Sequence, residues 1–180
     1  MDFLELVMKR SSVRKYAPRP VGRNLIDKCL EAARLSPSAC NCQPWQFIIV
    51  DKDESRLKLC KAMLSGVYGM NSFVYQAPVL VVVLADSVNW LVKVCNVLRN
   101  TKMYLFDIGI ACNSFCLQAS ELGLGTCMLG WFNERKVKKL LSIPRNKRVS
   151  VVITLGYPDA ACLLADKIRK SLAEIRRYAD

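Results

Sequence analysis

Ser36-Pro37-Ser38-Ala39-Cys40-Asn41-Cys42-Gln43-Pro44-Trp45 ends one pattern and starts another. Before it, Leu25, Ile26, Cys29, Leu30 and Ala33 recur at helical spacing; after it runs the apolar stretch Phe47-Ile48-Ile49-Val50. Each proline fixes its own φ and biases the residue before it away from helix, so a helix must stop here and a strand must begin. Between the prolines sit a hydroxyl and two carboxamides, on Ser38, Asn41 and Gln43, which offer fixed hydrogen-bonding groups to a planar polar ligand. The plainer reading is a connector whose Ser and Asn side chains bond their own backbone. Choosing between the two readings requires the rest of the chain.

Upstream, Phe3, Leu6 and Val7 predict a short helix over 2–9, ending in the basic, hydroxyl-rich Arg10-Ser11-Ser12-Val13-Arg14. Pro18 and Pro20 keep the chain extended as far as Asn24, the expected N-cap of the helix that leads into the loop. Downstream, a strand near 45–50 is followed by a helix from Asp53 to about Leu64, with Gly66 and Gly69 marking a mobile connection. Val79 to Leu84 is an unbroken apolar run suited to a central strand buried on both faces. Residues 86–100 have no clear assignment. From about Lys102 to Glu121 a long helical pattern rich in small residues (Gly109, Ala111, Cys112, Ser114, Cys116, Ala119) reads as a central helix. After a glycine-rich segment from Gly123 to Gly130, Asn133 caps a basic helix through Leu141. Val149 to Leu155 forms another strand, closed by Gly156-Tyr157-Pro158, and the basic tail from Lys167 to Tyr178 reads as helical. Helices and strands mix without repeats or linkers, which predicts one domain over 1–180, of α+β or α/β layer type.

The 180 residues are 52% apolar, enough for a substantial core. No run approaches the roughly 18 apolar residues of a membrane span, and the acidic N-terminus lacks a signal-peptide layout; a cytoplasmic protein without membrane association is expected. The nine cysteines include no CxxC pair and there is no histidine, so the common zinc sets are missing, no metal site is expected, and the cysteines read mainly as small buried apolar residues. Lack of histidine also removes Ser/His and Cys/His catalysis, leaving the chemistry to a bound cofactor. The net charge of +12 attracts anions: nucleic acid, a membrane surface or a phosphorylated small molecule. The basic residues run from Lys9 to Arg177 without interleaved aromatics, so nucleic acid is not the expected partner.

Three regions could serve one anionic, planar ligand. Arg10 and Arg14 supply guanidiniums suited to phosphate or carbonyl oxygens, with Ser11 and Ser12 beside them. The Gly123 to Gly130 segment allows close backbone approach but lacks the order of a dinucleotide fingerprint. Lys167 and Arg169 add two further cations.

Together and in this order, these segments resemble the FMN-dependent nitroreductase family, as a short, single-domain member. The resemblance is carried by Arg10 to Arg14, by Ala33-Arg34-Leu35 through the Ser36–Trp45 loop to Phe47, by Ala77-Pro78, Asp107-Ile108-Gly109, Glu121 to Thr126, Leu155 to Pro158 and the basic tail; it covers essentially the whole chain. It implies an α+β, three-layer fold with a mixed, largely antiparallel sheet flanked by helices, and a homodimer with two FMN sites at the subunit interface. Arg10, Ser11, Ser12 and Arg14 are then the first flavin-binding segment, with Arg14 near the pyrimidine side. Pro37, Ser38, Ala39 and Asn41 are the other subunit's contribution, supported by Gln43. Leu129 and Gly130 bring backbone to the N5 edge; where relatives often carry an acid, Leu129 offers only its N–H. Lys167 and Arg169 form the phosphate clamp.

The implied activity is that of an oxidoreductase in which NADH or NADPH reduces FMN and an electron-poor acceptor, a nitro compound, a quinone or a similar small molecule, is reduced by hydride transfer through flavin N5. Arg14 takes the catalytic role, a fixed positive charge where negative charge grows on the ring. Two other readings stay open. One is a specialised flavoprotein of the same fold (flavin-consuming, deiodinating or redox-sensing); the other is a basic nucleic-acid-binding module, favoured by charge alone. The short 86–100 region argues against a long active-site lid. Cys40 and Cys42 flank Asn41 and read as packing neighbours, with redox involvement as the alternative.

Overall fold

Strand β2 (Val79–Ala85) is apolar throughout and buried at every position. Its side chains alternate, Leu80, Val82 and Leu84 toward one apolar cluster and Val79, Val81, Val83 and Ala85 toward another. A strand buried on both faces needs a layer on each side, and this sets the architecture. The computed structural model describes residues 2–86, 101–160 and 167–179. The expectation for 86–100 falls, beyond Asp86, outside the described residues.

The sheet order is β1-β2-β4-β3, with β1 (Trp45–Val50), β3 (Gly125–Leu129) and β4 (Arg148–Gly156). All three strand pairings are antiparallel. Among the described residues the parallel component is one isolated bridge, Ser12 to Thr126, at the outer edge of β3. One face carries α3 (Asp53–Met63) and α5 (Glu134–Leu140), through Leu59, Cys60, Met63 and Val137. The other carries α2 (Arg23–Arg34) and α4 (Met103–Glu121). Ala111, Cys112, Phe115, Cys116 and Ala119 line the buried side of α4, and their mostly small side chains let Ile26, Cys29 and Ala33 of α2 come close. Phe115 also stacks on Phe47 of β1, 6.4 Å between centroids. The three-layer α+β expectation holds. No helix among the described residues is long and apolar enough to cross a membrane.

Four local readings need correction. Helix α2 starts at Arg23 with Gly22 as its cap, because the missing Cβ of Gly22 leaves the space into which Asn24 folds its side chain. The Gly66 to Gln76 stretch, read as a mobile connection, is a series of 3-10 turns with Val74 buried beneath it. Most of the glycine-rich segment is strand β3. The tail has one helical turn, α6 (Leu172–Ile175), closed by a capping box between Ser171 and Glu174; its exposed apolar residues bury nothing that would extend it.

Helix α1 (Phe3–Lys9) is held at its start by a capping box between Asp2 and Glu5 and buries no residue. The chain after it is pinned to the sheet edge. Val13 N–H donates to Thr126 O (2.9 Å) and Ala17 N–H to Tyr157 O (2.9 Å). The Tyr16 hydroxyl lies 2.8 Å from Val13 O and 2.6 Å from Thr154 Oγ1. Gly125 and Gly156, opposite each other across β3 and β4, make this possible. A Cβ on Gly125 would lie 2.6 Å from Val13 Cγ2 and 2.8 Å from its Cβ; one on Gly156 would meet Pro78 and Tyr16 below 3 Å.

Gly125→Ala should therefore cost about 1–3 kcal/mol in urea unfolding, since the β-branched Val13 offers no flexible end to move aside. Gly69→Ala, with nothing within 4 Å of the added carbon, should stay within about 0.5 kcal/mol. Equal effects at both positions would show that the contact at Gly125 is readily relieved.

Candidate functional site

Where α1 ends, Arg10 N–H bonds Leu6 O as the C-cap, and the chain turns onto the edge of β3. This places Arg10, Ser12 and Arg14 around the same short stretch of strand. Burial pushes the Cys127 thiol up; Arg14, a hydrogen bond from Ser12, and Arg10 each oppose that rise. Cys116, on the adjoining side of α4, is likewise raised by burial and opposed by Thr126 and Arg10. Ser11 and Arg10 line a small cavity of about 70 Å³ together with Ser120, Gly123 and Thr126. The first predicted segment and the glycine-rich segment thus meet.

The tail joins them. Lys167 donates to Val7 O at the carbonyl end of α1, where a cation is favoured by the helix dipole. Its proton affinity is lowered by burial first, then by the charges of Arg10 and Arg169. Arg10 and Arg169 thus each stand close enough to repel Lys167, and a dianion placed among them would relieve that repulsion. Leu129 is buried at the end of β3, whereas Gly130 is exposed with no atom within 4 Å of where a Cβ would stand, so its backbone is open to a ligand.

The Ser36–Trp45 loop lies elsewhere. It is bent by three non-glycine residues in the left-handed region, Cys40 (φ 51°), Asn41 (φ 51°) and Gln43 (φ 45°). Such residues cost about 1–2 kcal/mol each and persist where the surroundings hold them. Here Gln43 N–H donates to Ser38 Oγ (2.9 Å) and Gln43 Nε2 to Asn41 Oδ1 (3.1 Å). Two bonds anchor the loop to α4: Ser36 Oγ to Ser114 Oγ (2.8 Å), and Ala39 N–H to Asp107 Oδ1 (3.2 Å). Asp107 is 5% exposed, and its Oδ2 meets no donor among the described residues. Sequence reasoning quoted Asp107 but gave it no role. The signal was there, a lone acid within the otherwise apolar Leu105-Phe106-Asp107-Ile108.

Asp107 beneath the loop and Ser120 beside the Arg10 segment lie on one helix, each next to half of the candidate residues. They are 13 residues apart, about 20 Å along α4 at 1.5 Å per residue. Two larger clefts, about 950 Å³ along α5 and about 710 Å³ between Tyr16, Arg56 and Tyr75, contain neither half.

Among the described cysteines, burial pushes Cys29 and Cys112 up to about 12 and Cys60 to about 11, as expected of small apolar core residues. Cys40 is exposed and Cys42 partly so, both free thiols on the strained loop.

The description "Nitroreductase family" fits a family model matching residues 7–68 and 65–157. A Methanothermobacter thermautotrophicus protein provisionally named NADH dehydrogenase/NAD(P)H nitroreductase is 35% identical over 162 residues, 88% of this chain and 78% of its own length. The Bacillus subtilis FMN reductase [NAD(P)H] is 27% identical over 87% of this chain and 66% of its own. The solved FMN-dependent nitroreductase of Clostridium difficile R20291 superposes with a TM-score of 0.78 at 27% identity, covering 99% of this chain and 100% of that one.

Asp107→Ala should speed amide exchange at Ala39 through Gln43 and lower stability by about 1 kcal/mol, because a partly buried N–H loses its acceptor. Asp107→Asn keeps a carbonyl oxygen there and should recover most of the loss. Unchanged exchange in the alanine variant would show that the loop is held without this carboxylate.

Proposed function

Because the chain belongs to the nitroreductase family, we propose that it is an FMN-dependent oxidoreductase that takes electrons from NADH or NADPH and passes them to an electron-poor small molecule such as a nitro compound or quinone. The convergence of Arg10, Lys167 and Arg169 carries this reading, since their mutual repulsion is suited to a phosphate monoester. FMN, when bound, supplies two-electron transfer between a nicotinamide and an acceptor. The rest is done by this chain's residues.

Lys167 and Arg169 hold the phosphate, with Arg10 beside them. Ser11 and Ser12 add hydroxyls along the same segment. Arg14 would lie toward the pyrimidine side of a bound flavin and would offer a fixed positive charge there without solvent reorganisation. The backbone at Leu129 and Gly130 would border the N5 edge of a bound flavin; with no acid at Leu129, a peptide N–H would be the donor available there. No histidine or other protein acid is required to shuttle protons between the two half-reactions.

The second half of each site comes from a second subunit, whose Pro37, Ser38, Ala39 and Asn41 complete the flavin environment. The separation of about 20 Å along α4 supports a shared site, because the two halves of one chain serve different flavins. Exposed apolar surface supports the homodimer: Phe3, Leu4 and Met8 on α1, Phe106 and Ile110 on α4, and Ile168, Leu172 and Ile175 in the tail.

The test is anaerobic reduction of the FMN-reconstituted protein by each nicotinamide, followed by oxidation with a quinone or nitroarene. Bleaching of the flavin absorption by NADH or NADPH and its return with the acceptor is the expected result. A protein that holds FMN but is reduced by neither would instead be the specialised flavoprotein, and one that retains no flavin would sink the cofactor assignment.

The shared site predicts complementation. Arg10→Ala and Asn41→Ala should each damage both sites of their own homodimers. In a heterodimer of the two variants both defects fall in one site and the other is intact, so activity should return to about half that of the parent. A heterodimer no better than the mean of the two homodimers would place both residues in a site built by one subunit.

A further inference from the structure

Immediately after Gly130 stands Trp131, 55% exposed. A large aromatic left in water is commonly loose, but this one is fixed on three sides. Its indole N–H donates to Val67 O (3.4 Å), its carbonyl accepts from Asn71 Nδ2 (3.4 Å), and its ring leans on Tyr68 with centroids 5.0 Å apart at 49°. Two further bonds join the same segments: Asn133 N–H to Met63 O (2.9 Å) and Asn133 Nδ2 to Ser65 Oγ (3.1 Å). The 3-10 stretch from Gly66 is thereby fastened to the turn after β3. What remains exposed is a rigid aromatic surface beside the open backbone of Gly130, extended by Val67 (76% exposed) and Met70 (85%).

We propose that Trp131, backed by Tyr68, is the surface on which the electron acceptor stacks, and that it selects planar, electron-poor aromatic acceptors over compact, non-planar ones. This rests on the reading that Gly130 borders the flavin, which puts the indole at the mouth of the site. The face of an indole is electron-rich, and offset stacking against an electron-poor ring is the arrangement its quadrupole favours. A pre-fixed aromatic loses little conformational freedom on binding, so the stacking gain is kept as affinity. Trp131 is a specificity residue on this account, touching the acceptor and leaving phosphate and ring-edge contacts to the residues already assigned.

The experiment is a calorimetric titration of the oxidised, FMN-loaded protein with 1,4-naphthoquinone and no reductant, paired with steady-state KM values for that quinone and for ferricyanide. Trp131→Ala should weaken quinone binding about ten-fold and raise the quinone KM about ten-fold more than the ferricyanide KM. Trp131→Phe should keep most of the affinity, whereas Trp131→Leu, apolar but without a π face, should behave like alanine. Leucine as good as tryptophan, or an alanine variant with parental quinone affinity, would overturn the proposal. So would loss of the dimer in sedimentation of Trp131→Ala, which would make the indole a contact for a second copy. Flavin content, read from visible absorption of the parent, separates this from the underlying assignment: a parent without flavin refutes that reading, whereas a flavin-loaded parent with an indifferent Trp131 refutes this one.

Discussion

The packing of Val13 and Tyr16 over the Gly125–Gly156 pair is the contact on which the rest of the site depends. A sheet edge normally presents unpaired backbone groups and side chains that keep neighbours away. Here two facing glycines remove the side chains, and the N-terminal segment lies against the strand, bonded at Val13 and tied by the Tyr16 hydroxyl. Covering the edge protects it and also carries Arg10, Ser12 and Arg14 to β3. The same contact that closes the fold delivers the cations.

Helix α4 has a second, separate task. Its buried face of small residues fixes the distance to α2, and at one end Asp107 reaches out of the apolar pattern to hold Ala39 N–H. A carboxylate buried in this way is costly unless its hydrogen bonds are made. Its presence is explained by the loop above it, where three left-handed residues need an external anchor. At the other end, Ser120 lies beside the Arg10 segment. One helix therefore holds the loop near one end and the Arg10 segment at the other, and in the proposed homodimer the loop of one chain would meet the cations of its partner.

The positive charge is distributed with the same economy. Arg10 and Arg169 come from opposite ends of the chain and both lie near Lys167, whose proton affinity is lowered first by burial and then by these two charges. Some of the remaining basic residues are engaged in ordinary ion pairs, such as Arg23 with Asp51 and Lys138 with Glu134, which contribute little to stability. The strained loop and the crowded cations are both places where local rules are broken, and both coincide with the proposed ligand.

Local pattern by itself determined the elements. Pro37 and Pro44 dictate a break, the β-branched run after Pro78 dictates a strand buried on both faces, and the spacing of small residues from Gly109 to Ala119 dictates a close-packed central helix. These are statements about φ, about periodicity and about volume, which a chain carries residue by residue. The motifs from Arg10 to Arg169 also made the family legible. Tertiary structure alone decided the rest, because it depends on distances between residues remote in sequence. Gly22 displaced Asn24 as a helix cap because of a side chain folding back; Gly125 and Gly156 serve as seats for Val13 and Tyr16; Asp107 became an anchor only when Ala39 lay above it. Nothing in the local pattern around Trp131 marks it as functional. Only the folded chain leaves it half in water, held against Tyr68 beside an unshielded glycine, since exposure is a property of what surrounds a residue and not of the residue itself.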